Sequence, residues 1–187
     1  MQPYLLNNYD LNDIKIASAC DEFSLWSSYP GVMLLDAVRF KEHATILDVG
    51  FGTGFPLIEI AQRFGASAKV YGIDPWDAAT LRTKEKIAAI GVDNITLTHG
   101  YAESLPYPDE QFDLIVSNMG FNNTTDQLKA MQACFRTAKH GSQMVFTVNL
   151  PASMKEFYSL YAKALRHMGL KKYITAMNEH IHHKRKS

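Results

Sequence analysis

The stretch Asp48-Val49-Gly50-Phe51-Gly52-Thr53-Gly54 follows the apolar run Ala44-Thr45-Ile46-Leu47 and comes just before Pro56. An apolar, partly β-branched run that stops at glycines reads as a buried parallel strand over 44–49. Pro56 suits a first helical turn, where no backbone N–H is needed, so a helix is expected over 56–64. Three glycines at alternating positions let the backbone bend sharply and approach a ligand where a Cβ would collide. The bend falls at the carboxyl end of the first strand, where open α/β sheets bind ligands. The helix N-terminus beyond it offers free N–H groups and a partial positive charge, suited to a carboxylate or to ribose oxygens.

Outward from this bend the pattern alternates strand and helix. Strands are expected over 69–73, 95–98, 112–117 and 143–149, with helices over 77–90, 125–139 and 151–168. Gly91 closes the second of the core helices and His140-Gly141 stops the third. Strands alternating with helices of ~10–15 residues make βαβ units and a parallel sheet. In the helix over 151–168, Met154, Phe157, Tyr158, Tyr161, Leu165 and Met168 form one apolar stripe, read as core packing. The first 43 residues are helical in tendency and lie ahead of the sheet.

The spacing of the glycines excludes two ligands. A dinucleotide fingerprint needs glycine at residue 55 or 57, which are Phe55 and Leu57, and no Gly-Lys-Ser/Thr follows as a P-loop requires. Asp74 closes the second strand in Gly72-Ile73-Asp74. A carboxylate there can accept hydrogen bonds from both hydroxyls of a ribose, or it can cap the following helix. Pro75 and Trp76 offer apolar faces to a purine.

Composition bounds the rest. The 187 residues are 47% apolar, with Lys+Arg and Asp+Glu equal at 19 each. That is enough for one compact domain, and the neutral total carries no electrostatic footprint of a nucleic-acid partner. The two cysteines, Cys20 and Cys134, lie far apart and read as reduced, packed thiols. His180, His182 and His183 sit in a basic tail and read as solvated, so no metal site is expected. Without a signal peptide pattern or a bilayer-spanning run, the expected location is cytoplasmic and no membrane partner is expected.

Four segments together resemble class I S-adenosylmethionine (SAM) dependent methyltransferases, in the type 11 branch. Ile46 to Gly54 resembles their motif I and Val70 to Asp74 their motif II. Gly100-Tyr-Ala-Glu-Ser-Leu-Pro-Tyr-Pro-Asp109 with Phe112 to Ser117 is similar to the segment joining their strands three and four. Lys139-His-Gly-Ser142 resembles the turn into their fifth strand. The resemblance implies a Rossmann-like, doubly wound, mostly parallel sheet with helices on both faces. It implies SAM as cofactor and methyl transfer to a small-molecule acceptor.

Residue by residue, the resemblance implies that Gly50, Gly52 and Gly54, with Phe51 in the same loop, surround the methionine and ribose parts, with Asp48 beneath. Asp74 would hold the ribose hydroxyls and Pro75 or Trp76 would pack on adenine. Ala102 would present its N–H to an adenine ring nitrogen. Asn118 would lie near the methionine amino group or the acceptor. Tyr101 stands where many members carry an acid for the adenine amino group. Either Glu103 takes that role, or backbone or water does. Asp21, Trp26 and Asn122 are candidates for acceptor contacts. The segment around Asp21 to Ser27 looks like the helix that folds over the cofactor as a lid, and helix-boundary packing of Phe23 and Trp26 is its alternative. No catalytic base is assigned.

The resemblance also implies two further strands in an antiparallel hairpin, for which the residues after Leu170 leave no room. Five strands are therefore expected, with truncation near 171–187 and a sheet edge open to a second copy. The expected organisation is a helical cap over 1–43, a SAM-binding domain over 44–170 and a basic tail over 171–187. A non-catalytic SAM-binding module, or SAM-fold chemistry other than methyl transfer, are the competing readings.

Overall fold

In the computed structural model the described residues are 9–22, 25–150 and 152–184. Phe23 and Pro151 lie outside them, as do the side chains of His180, His182 and His183. The elements in chain order are α1 (Ile14–Glu22), α2 (Leu25–Ala37), β1 (Thr45–Val49), α3 (Leu57–Phe64), β2 (Lys69–Asp74), α4 (Asp77–Ile90), β3 (Ile95–His99), β4 (Phe112–Asn118), α5 (Gln127–Thr137), β5 (Ala138–Thr147), α6 (Lys155–His167) and α7 (Lys172–Lys184). Two compact units result, Met1–Thr147 and Val148–Ser187.

In the first unit, five strands form one sheet in the order β3-β2-β1-β4-β5, every pair parallel. The order reverses beside β1, so the ends of β1 and β4 form the crevice expected of a doubly wound sheet. Side chains alternate across each strand. Ile46, Val70, Leu114 and Val116 meet Leu34 and Leu35 of α2 and Leu57, Ile60 and Phe64 of α3 on one face. On the other face Leu47, Val49, Ile73 and Ile115 meet Ala130 and Cys134 of α5. Helices thus cover both faces, and each fully buried Leu, Ile or Phe contributes ~1.5–3 kcal/mol.

Several boundaries differ from the sequence reading for local reasons. Pro56 stands one position before α3, after a cis peptide bond, and its carbonyl accepts the first helical bond from Ile60 N at 2.9 Å. α5 ends at Thr137 rather than 139, and β5 begins at Ala138. The carbonyls of Arg136 and Thr137 accept from Glu110 N and Gln111 N at 3.0 and 2.8 Å, which draws them into the sheet. Between the pairs Phe112↔Ala138 and Leu114↔Gln143 the register shifts, so the segment with Gly141 is looped out. Gly91 caps α4 in the left-handed region, as expected, and donates to Ile87 O.

The second unit holds α6 and α7. The stripe read as core on α6 is mostly exposed: Phe157 and Tyr161 stack with ring centroids 5.9 Å apart at the surface, and only Leu165 of the six is buried. The buried positions are Ala162 and Leu165, because α6 turns Tyr158 and Ala162, not Phe157, toward Met177 and Ile181 of α7. The stretch read as a tail is helical from Lys172 to Lys184, with Tyr173, Met177 and Ile181 at helical spacing. Of the two thiols, Cys134 is packed and Cys20 is exposed on α1.

Candidate functional site

The carboxyl ends of β1, β2 and β4 enclose a cleft of about 490 Å³, within the range of small-molecule sites. Its floor is the glycine bend. Gly50 N donates to Ile73 O at 2.8 Å, which ties the bend to β2. Gly50, Gly52 and Gly54 all have positive φ. A Cβ on Gly50 would lie 2.8 Å from Gly120 Cα, so the loops after β1 and β4 touch backbone to backbone. A Cβ on Gly52 would meet nothing within 4 Å, which leaves the space above it for a ligand.

Asp74 joins this floor directly. Its Oδ2 accepts from Gly52 N and its Oδ1 from Trp76 N, both at 2.8 Å. Burial raises its pKa against the pull of those two amides and of His99. Each oxygen keeps a lone pair for a further donor, so the carboxylate can serve the bend and a diol together. From behind, α4 holds the bend: Thr83 Oγ1 donates to Gly52 O at 3.0 Å and Lys86 Nζ to Thr53 O at 2.7 Å.

Asp48 is wholly buried, and neither carboxyl oxygen has a partner within hydrogen-bond reach. Burial and then the neighbouring Asp74 charge push its pKa up to about 8. Phe51 also leaves the cleft. Its ring is buried in the core under Gly72, where a Cβ would come within 2.7 Å of it. Gly54 lies behind the bend against Thr83 and Ile58.

The walls bring most of the remaining candidates together. Pro75, Trp76, Tyr101, Ala102, Glu103 and Asn118 all line the cleft with Gly50, Gly52 and Asp74. Tyr101 is exposed and Ala102 is buried at the start of a short 3-10 turn. Glu103 Oε1 accepts from Thr125 N at 2.7 Å and Asp126 N at 3.2 Å, so it organises the loop before α5. Asn118 Nδ2 donates to Ser27 O at 2.9 Å and its Oδ1 accepts from Thr147 Oγ1 at 2.7 Å.

The acceptor candidates lie outside the cleft lining. Asp21 faces α4, where Lys86 Nζ reaches it at 2.7 Å and Arg82 Nε at 3.1 Å. Burial opposes its ionisation, but these cations prevail and lower its pKa. Trp26 stands exposed on α2. Asn122 lies in the turn after β4, with its N–H on Met119 O, while the neighbouring Asn123 lines the cleft.

Sequence reasoning missed Leu11, whose carbonyl accepts from the Trp76 indole N–H and which lines the cleft. A backbone acceptor leaves no mark in residue type. It also missed the paired approach of Gly50 and Gly120, for which Gly120 beside the fourth strand is the one available signal. His99 pairs with Asp77 at 2.8 Å and sets its ring edge-on to Tyr101 at the rim, though neither His99 nor Asp77 lines the cleft itself. Among the described residues no cluster of His, Cys, Asp or Glu could hold a metal, and no helix is long and apolar enough to cross a membrane.

Residues 40–182 match the model of a family described as a methyltransferase domain. The chain belongs to that family. A demethylmenaquinone methyltransferase of Anoxybacillus flavithermus is 33% identical over 122 residues, 65% of this chain and 52% of that protein. A ubiquinone/menaquinone biosynthesis C-methyltransferase of Salmonella arizonae is 29% identical over 142 residues, 74% of this chain and 55% of that protein. This methyltransferase-family chain thus spans about half the length of the curated relatives it matches. Among solved structures, a SAM dependent methyltransferase from Aquifex aeolicus matches with a TM-score of 0.65 and 26% identity, over 74% of each chain.

Proposed function

We propose that this chain binds SAM in the cleft at the ends of β1, β2 and β4 and transfers its methyl group to a small-molecule acceptor. The observation that carries the reading is the Asp74 carboxylate bonded to Gly52 N on the floor of one cleft. A sulfonium methyl is already activated, so a protein need only hold cofactor and nucleophile close and in line. In this reading Asp74 accepts from the ribose hydroxyls, and Gly50 and Gly52 border the methionine part, with Asp48 below. Pro75 and Trp76 lie against the purine, and Ala102 gives its N–H to a ring nitrogen. Asn118 faces the amino end or the acceptor. The segment ahead of β1, read as a cap over 1–43, is held through Leu11 O on Trp76 and Asp21 on Lys86. The relatives' names favour a small-molecule acceptor of the quinone class. The balanced charge and the unpaired cysteines fit a cytoplasmic protein, and the outer edge of β5 is where a second copy would add.

Titration calorimetry tests the cofactor. SAM and its demethylated product should bind and NADH should not. Asp74→Asn should weaken SAM binding at least about tenfold, ~1.4 kcal/mol. Absence of heat with SAM, or tighter binding of NADH, would refute the assignment. Transfer of labelled methyl to a panel of acceptors then separates an enzyme from a binding module.

A further inference from the structure

β4 ends in a turn that a side chain makes at a cost. Met119 has φ 64° and ψ 0°, in the left-handed region that glycine enters freely and other residues avoid. Such a residue persists where its surroundings hold it. The hold comes from Thr147, the last residue of β5. Met119 N donates to both Thr147 O and Thr147 Oγ1, each at 3.0 Å. The Thr147 hydroxyl, having accepted there, turns its one proton to Asn118 Oδ1 at 2.7 Å. One hydroxyl thus fixes a strained backbone and the buried side chain beside it.

The turn sets the cleft against the glycine bend. It lays Gly120 on Gly50, where a Cβ on Gly120 would meet Val49 O at 2.5 Å and Ser117 Oγ at 2.6 Å, so the seat has no slack. Asn118 is fixed at its other end too, with Nδ2 on Ser27 O, a carbonyl that can only accept. The amide therefore has one orientation, because a flip would set its oxygen against that carbonyl. Asn118, Met119 and Gly120 line the cleft beside Gly50, whereas Thr147 stands behind them and does not. The lining from the end of β2 is held separately, by Asp74 on Gly52 N and Trp76 N.

We propose that Thr147 is a positioning residue for the amino-acid end of the cofactor. Through Asn118 and Met119 it holds the β4 turn on Gly50, and so shapes the part of the cleft that takes the methionine chain. The proposal rests on the SAM reading above and adds the residue that sets this end, together with a selectivity. A ligand that shares the adenosine but lacks the amino-acid end does not depend on Thr147.

The test compares S-adenosylhomocysteine, the demethylated product, with 5′-methylthioadenosine by titration calorimetry. Both are thioethers on the same adenosine, and only the first carries the amino-acid end. Thr147→Val keeps the side-chain shape but leaves the buried Asn118 Oδ1 without its donor, and Thr147→Ser keeps the hydroxyl. S-Adenosylhomocysteine should bind Thr147→Val about tenfold more weakly than wild type, and Thr147→Ser within about threefold of it. 5′-Methylthioadenosine should bind all three proteins within about twofold, which also reports that the variants are folded with the adenosine end intact. Equal loss of both ligands in Thr147→Val, misfolding included, would give the hydroxyl a general structural role and overturn the proposal. Undiminished affinity for S-adenosylhomocysteine, or a Ser variant no better than Val, also overturns it. So does a wild type that binds S-adenosylhomocysteine but ignores 5′-methylthioadenosine, since the two ends would then not be held separately. A wild type that binds neither SAM nor S-adenosylhomocysteine refutes the SAM reading itself, and this proposal with it.

Discussion

At the scale of single residues, the glycine bend separates residues that face the cleft from those packed behind its floor. Phe51→Ala should cost about 3–5 kcal/mol in denaturant unfolding, because the ring fills core space beneath Gly72. Gly52→Ala meets no neighbour, so its main stability cost is the positive φ of +53°, about 1 kcal/mol, while a Cβ there should impair cofactor binding. Asp48 predicts a pH dependence. An unfolded carboxyl ionises near 3.8, whereas buried Asp48 keeps its proton to about 8. Between those values the folded chain carries the extra proton, so the ligand-free protein should lose stability as pH rises through that window, by roughly 1.4 kcal/mol per unit. Asp74, also raised by burial, adds to the slope. Urea unfolding from pH 5 to 9 should show it, and Asp48→Asn should flatten it. The sequence made the glycines and Asp74 legible because each residue type answers one geometric need. It could not reveal that Asp48 has no partner, since that depends on what three strands leave around it.

Among the elements, the core helices and strands were readable from period and punctuation: α4 ends at Gly91 because a left-handed cap stops it there. The N-terminal segment was readable as helical, but where its helices dock was not, because their contacts are long-range. α1 is fastened to α4 through Asp21, with Lys86 bridging on to Thr53 O, and nothing local to Asp21 announces a partner 65 residues away. Asp21→Ala should release α1. Hydrogen exchange of amides 14–22 should then accelerate at least about tenfold while β1 and β4 keep their protection. Unchanged exchange would mean that α1 is held by its apolar contacts alone. The failed reading of α6 has a similar cause: a stripe of the right period says that a face is apolar, and not that anything covers it.

For the whole molecule, ligand binding and stability are linked, because a ligand that binds only the folded chain adds RT ln(1 + [L]/Kd) to its stability. At a hundredfold excess over Kd that is ~2.7 kcal/mol, which should raise the melting temperature by roughly 5–11 °C for a chain of this size. Asp74→Asn should abolish most of the rise at the same SAM concentration, and an equal rise in the variant would place SAM elsewhere. Because every strand of the sheet points the same way, all five amino ends share the opposite rim. There Gly65 and Gly91, which end α3 and α4, have open space where a side chain would project. That rim is a free handle: a reporter dye or surface tether placed there would leave the mouth of the cleft unobstructed, so single-molecule records of ligand arrival could be made on the working protein.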